Sequence, residues 1–314
     1  MLAGLETVTR KDITVDFIRY LWIATNGHVR GKELYARIKT KVTTPGQAIE
    51  LANDLADSAI VYAAILNSDH PRWDAYGEEA KADLSNLIML GIERIHPITL
   101  AVARTFSKPE EVKRAFYYLV AASVRLLIAG PAPGGQFEKS VAEVAPKISD
   151  GTIRTAKDLA AEMNKDIVPA DAEFEAKFAV ASVSQTHLAR YYLRALNNGY
   201  DTKDTHPARA LGQAKNNVEH ILPQNRSSAW SHFKDDVARA YCKRIGNLTL
   251  LRPKDNTEVG NADFLKAKVP VFRESPYPLT QEVANETAWD ETAIDARQKR
   301  LATMAVKIWS IKVK

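Results

Sequence analysis

Apolar residues recur every three or four positions through most of the first 200 residues, which is the spacing of helix faces. Phe17, Ile18, Leu21 and Trp22 follow Thr14, a residue type that caps helices. Leu34, Tyr35 and Ile38 mark a second helix over about 32–42. Pro45 fits the first turn of a long helix ending near Asn67, with Ile49, Leu55, Val61 and Ile65 among its apolar positions. Leu84, Leu87, Ile88 and Ile92 predict a helix over 80–95, and Pro97 opens the next, which ends near Phe106. Ser107-Lys108-Pro109-Glu110-Glu111 reads as a cap, a proline and acids in a first turn. The most apolar run, Phe116 to Ala129, contains Arg125 and is too short to span a bilayer, so it reads as a buried helix. The loop Gly130-Pro131-Ala132-Pro133-Gly134-Gly135 follows. Further helices are predicted over about 137–148, 152–163, 170–180 and 186–197, with no strand-like alternation and no repeat.

The pattern changes at Asn197-Asn198-Gly199-Tyr200-Asp201, after which the chain is polar until about Val218. Val218 to Leu222 and Leu248 to Leu251 are short runs rich in Val, Ile, Leu and Thr, the composition of strands. Pro223 ends the first because it has no N–H for a ladder, and Gly246-Asn247 opens the second as a turn. Residues 263–268 read as a short helix, and 269–278, with Pro270, Pro276 and Pro278, as irregular chain. A last helix carries Ile294, Leu301, Ala305, Ile308 and Trp309 toward a core. The expected fold is mainly α: a multi-helix N-terminal domain over 1–200, then a smaller module over 201–314 with strands confined to about 216–252.

Composition adds bounds. A length of 314 residues suggests two domains, and 46% hydrophobic with 26% charged residues is ordinary for a globular chain. One cysteine, Cys242, excludes a disulfide framework and a cysteine-based zinc site, and fits a reducing cytoplasm. No signal segment opens the chain, and no Gly-x-x-x-x-Gly-Lys-Ser/Thr phosphate loop is present. The net charge is +5, and residues 201–314 hold 19 Lys and Arg against 14 Asp and Glu, so the whole excess lies there. A basic face of that kind suits phosphate contacts.

The candidate chemistry lies in the same part. Glu219 and His220 stand side by side at a strand end, which puts a carboxylate and an imidazole at a loop mouth. A hard cation and an activated water could share that place. Adjacent strand residues point to opposite faces, so the two meet at one site only if the strand end is twisted or bulged. A neutral imidazole with a pKa near its usual ~6.5 can take a proton from water.

The order Glu219-His220-Ile221-Leu222-Pro223-Gln224, Trp230, Gly246-Asn247-Leu248-Thr249-Leu250 and Asn256 resembles an HNH nuclease, the ββα-metal class. It is most similar to the C-terminal nuclease domain of GmrSD-type modification-dependent restriction proteins and the related SspE phosphorothioate-sensing proteins. The HNH domain of RNA-guided CRISPR effectors is similar, with Asp in place of Glu. The two motifs stand 27 residues apart, from His220 to Asn247; together they are specific and either alone is weak. The resemblance covers about 208–309.

It implies His220 as general base and Asn247 as the amide that holds the loop bearing it. It implies Mg²⁺ or Mn²⁺ held by Glu219 and Asn256, with Asn261 as a rival ligand. Trp230 would pack. Lys254, Lys266 and Lys268 flank the site and could touch phosphate; Arg297 matches a recurring arginine that supports the site or binds DNA. His206 and His232 have no partner at metal-ligand spacing. The implied activity is metal-dependent nicking of DNA, leaving a 5′-phosphate and a 3′-hydroxyl, in a restriction or antiviral defence effector. The alternative is a non-catalytic helical DNA-binding or regulatory module. An RNA substrate also stays open, because the chemistry does not read the sugar. The resemblance further implies an N-terminal nucleotide-hydrolysing sensor domain in a longer protein, and sensing of DNA modification would lie there.

Overall fold

The computed structural model describes residues 13–200 and 216–313. Over these residues the chain forms two compact units, Met1–Pro169 with Ile311–Lys314, and Ala170–Ser310. The fold is mainly α, with one two-stranded sheet among the described residues.

The first unit holds α1 (Ile13–Asn26), α2 (Leu34–Lys41), α3 (Pro45–Ile65), α4 (Gly77–Leu90), α5 (His96–Thr105), α6 (Pro109–Ala129), α7 (Gln136–Ser149) and α8 (Ala156–Asp166). Their apolar stripes make one core, in which Phe17, Leu100, Phe116, Leu119, Ile148 and Leu159 are buried. Helix α3 begins with a reciprocal cap, Thr44 accepting from the Gln47 N–H while the Gln47 side chain accepts from the Thr44 N–H. At α6, Pro109 takes the first helical position, so the cap position falls on Lys108, not Ser107, and carries no side-chain bond. Helix α8 starts at Ala156, capped by Thr155, four positions later than its apolar pattern suggests. Arg125, which interrupts the apolar run, is fully buried and donates to the Pro169 carbonyl at 3.0 Å.

The second unit holds α9 (Asp171–Phe178), α10 (Thr186–Asn198), β1 (Asn217–His220), α11 (Asp235–Tyr241), β2 (Leu248–Leu251), α12 (Pro253–Val259), α13 (Val269–Arg273), α14 (Pro278–Gln281) and α15 (Glu291–Ile308). The compact units divide at Pro169, not at residue 200. Helices α9 and α10 pack on α15, with Phe174, Phe178, Tyr191 and Tyr192 clustered around Trp309. The polar composition after Asn197 marks exposed chain, whereas the unit boundary follows where side chains are buried.

The strands pair antiparallel: Asn217 with Leu251, Val218 with Leu250, Glu219 with Thr249 and His220 with Leu248. The helix that follows β2 is α12, not 263–268. Pro253 at its first position and Gly260 beyond its end, at φ 42°, delimit it. Residues Phe264–Lys268 instead form a π-helical turn, started by Asp263, whose carboxylate accepts from the Lys266 N–H. The stretch expected to be irregular is helical in α13 and α14, because Pro270 and Pro278 sit in first turns, where no N–H is needed.

Candidate active site

The centre of the candidate site is the end of β1. The ladder continues one bond past the strand, from the Ile221 N–H to the Asn247 carbonyl at 3.0 Å. The Asn247 side chain then grips the next peptide from both sides. Its Oδ1 accepts from the Leu222 N–H at 2.8 Å, and its Nδ2 donates to the Leu222 carbonyl at 3.0 Å. Nδ2 also donates to the Cys242 carbonyl at 3.0 Å, and Oδ1 accepts from Trp289 Nε1 at 2.9 Å. Asn247 is fully buried and its amide is saturated. It therefore acts on the chain that follows His220 and has nothing left to offer a substrate.

Helix α15 clamps that turn from behind. Arg297, fully buried, donates to the carbonyls of Gly246 at 2.7 Å, Leu248 at 2.8 Å and Leu279 at 3.1 Å. Burial pulls its guanidinium pKa down to about 10, with Glu282 opposing. Arg297 cannot reach a phosphate from there. The burial argues against the expected DNA contact: its hydrogen bonds run to backbone carbonyls inside the unit, and its charge faces Glu282 at 3.8 Å. Gln298 accepts from the Gly246 N–H at 3.1 Å. The approach is close enough that a Cβ on Gly246 would lie 2.5 Å from the Ile294 carbonyl oxygen, so only glycine fits.

Glu219 is buried, and its carboxylate pairs with the ammonium of Lys268, which is also fully buried. Lys268 donates to the His220 carbonyl as well, at 3.1 Å, and lies 5.8 Å above the Trp230 ring. Burial pushes the Glu219 carboxyl up and the Lys268 ammonium down, and each charge offsets that effect in the other. The strand carries no bulge. Glu219 and His220 are linked instead through Lys268, whose ammonium bonds both the Glu219 carboxylate and the His220 carbonyl.

The His220 imidazole is half-buried. Burial, helped by the charges of Lys268 and Lys243, pulls its pKa down to about 4, so the ring is neutral at physiological pH. Gln224 Nε2 lies 3.0 Å from ring Nε2 and steadies the ring from that side. A Gln224 amide turned to present its oxygen would put the ring proton on Nε2 and leave Nδ1 as the proton acceptor.

Asn256 sits on α12, which packs against β1. Its Oδ1 is buried with no hydrogen-bond partner among the described residues. Asn261 contributes its backbone carbonyl to Ser227 at 2.9 Å and Trp230 at 3.2 Å, and its side chain is exposed. Trp230 is buried packing. Lys254 and Lys266 are exposed. The His232 Nε2 lies 3.1 Å from the Trp289 carbonyl, and His206 lies outside the described residues.

The donor set suits a hard divalent cation. Glu219 would supply carboxylate oxygen, now paired with Lys268, and the unpartnered buried Asn256 Oδ1 is an acceptor that such an ion would satisfy. No group of three or more His, Cys, Asp or Glu residues forms a metal cluster among the described residues, so the rest of a shell would come from water and phosphate. Sequence reasoning grouped Lys268 with the flanking lysines and gave Gln224 no role. Position shows only that Lys268 is near the site; the π-turn that sends it inward leaves no mark in the pattern.

Residues 168–304 match the family model of the C-terminal domain of GmrSD restriction endonucleases. The match begins well upstream of 208, where the motifs alone suggest a start, and nearly coincides with the second compact unit. This part of the chain is similar to the C-terminal region of a restriction endonuclease. No curated protein matches the chain.

Proposed function

We propose that the second unit is a metal-dependent DNA endonuclease of the HNH type, which nicks one strand per visit and acts in the cytoplasm as the effector of a restriction or antiviral defence protein. The observation that carries the reading is a neutral His220 beside a buried Glu219 at one strand end, in a segment similar to a restriction endonuclease domain. His220 takes a proton from the attacking water. Asn247 keeps the peptide after His220 in register through both of its Leu222 bonds. Glu219 and Asn256 would hold Mg²⁺ or Mn²⁺, which would polarise the scissile phosphate and offset charge on the leaving oxygen. Exposed Lys254 and Lys266 would contact neighbouring phosphates. Sensing of DNA modification would belong to a nucleotide-hydrolysing partner domain on the N-terminal side.

A second reading, a module that binds DNA without cutting it, draws on one observation: Lys268 already balances the Glu219 charge. One experiment separates the two. Nicking of supercoiled plasmid and DNA binding by anisotropy are measured for the wild type and for His220→Ala. The substitution removes the base and leaves the lysine contacts in place. Nicking should fall about 10²–10⁴-fold with affinity nearly unchanged. A variant that nicks as fast as wild type sinks the assignment of His220. If both proteins bind and neither nicks with Mg²⁺ or Mn²⁺ supplied, the binding module stands or the partner sensor domain is needed to license the cut.

A further inference from the structure

Lys268 is a charge that the proposed reaction does not itself require. Its ammonium is fully buried, bound to the Glu219 carboxylate and the His220 carbonyl, and covered by the Trp230 ring. It arrives there through the π-helical turn Phe264–Lys268, which leaves Lys266 in solvent and brings Lys268 inside. Such turns are costly local features and occur often at functional sites.

We propose that Lys268 keeps the metal site weak until a DNA phosphate arrives, so that divalent-cation binding and substrate binding are coupled. The inference rests on the reading of Glu219 as a metal ligand. A divalent ion on Glu219 faces an ammonium across a single carboxylate, inside the protein, where charges are poorly screened. Two cations then share one anion. A phosphodiester entering the site adds negative charge beside both and relieves the repulsion. By linkage the effect is reciprocal: what DNA does for the metal, the metal does for DNA. Removing the lysine charge removes the conflict, so the metal should bind tightly whether or not DNA is present.

The test uses the full chain in a His220→Ala background, so that DNA stays intact. Mn²⁺ binding is followed by the electron paramagnetic resonance of the free ion, with and without a short duplex. Lys268→Met and Lys268→Gln are compared with the parent, and circular dichroism checks folding. Lys268→Gln keeps a donor for the carboxylate, so it carries the test if Lys268→Met does not fold. Without DNA both variants should bind Mn²⁺ about tenfold or more tightly than the parent. The duplex should tighten Mn²⁺ binding strongly in the parent and much less in the variants. Variants that bind no tighter than the parent, or an equal response to DNA in all three, overturn the proposal. Glu219→Gln separates the two layers. If it loses Mn²⁺ binding, the site stands and the lysine arms decide; if it binds as the parent does, the metal reading falls and the coupling with it.

Discussion

The two units differ in what their cores hold besides apolar side chains. The first buries apolar stripes against one another, and its charged exceptions are few, chiefly Asp83 and Arg125. The second sets among an apolar cluster, in which Trp230, Phe272 and Ile294 are buried, a group of buried polar side chains: Glu219, Asn247, Asp255, Lys268, Arg297 and Gln298 are all nearly or fully shielded from solvent. An apolar core tolerates a change of shape-matched side chain, because dispersion and burial are not directional. A polar core does not, because each group's partner is left unsatisfied when the group is lost. The first arrangement gives a robust body. The second fixes a few atoms with little freedom, which is what a site of positioned groups needs.

The sharpest way to break this comparison is a matched pair of substitutions of similar shape. Leu119→Met, in the first unit's core, should cost less than about 1.5 kcal/mol. Arg297→Met should cost about 3–5 kcal/mol, since it strands three buried carbonyls and removes the charge facing Glu282. Chemical denaturation measures both, and equal costs would show that the two cores do not differ in kind.

A smaller effect is expected from acid. In the metal-free protein the His220 pKa is about 4, against ~6.5 in an unfolded chain. Between those values the unfolded chain holds a proton that the folded one does not. Stability therefore rises with pH across the window; it is undiminished above about 6.5 and falls as the pH drops toward 4. Denaturation midpoints at a series of pH values should fall less steeply for His220→Ala. Identical slopes would mean that the imidazole is not held neutral by its surroundings.

The least effect belongs to the surface. Lys254→Ala and Lys266→Ala should each move stability by no more than about 0.5 kcal/mol. Each should lower the salt dependence of DNA binding by about one phosphate contact. An unchanged salt slope in both would remove these lysines from the interface.

The same contrast explains what could be read from the sequence. Helices α1 to α10 follow from apolar periodicity, since their faces are buried in the ordinary way. Both strands lie where their β-rich runs stand, and Gly246-Asn247 is the turn between α11 and β2. Periodicity cannot show that α12 precedes the 263–268 turn, because Lys254, Asp255 and Asn256 are polar and their helix depends on Pro253 and Gly260. Nor could it find the Arg297 clamp. A basic residue on an amphipathic helix looks solvated until its partners, here carbonyls many residues away, are known. The Lys268 pair is hidden for the same reason: Lys268 stands 48 positions along the chain from His220, whose carbonyl it bonds.

The Gly246 contact has a consequence in time. The turn that carries Asn247 is seated only when Ile294, Arg297 and Gln298 stand behind it. A ribosome delivers those residues well after both motifs have emerged. A nascent or prematurely ended chain thus carries His220 and Glu219 without the wall that sets them. If the second unit cuts DNA as proposed, a chain ended before α15 should carry both motifs and fail to nick.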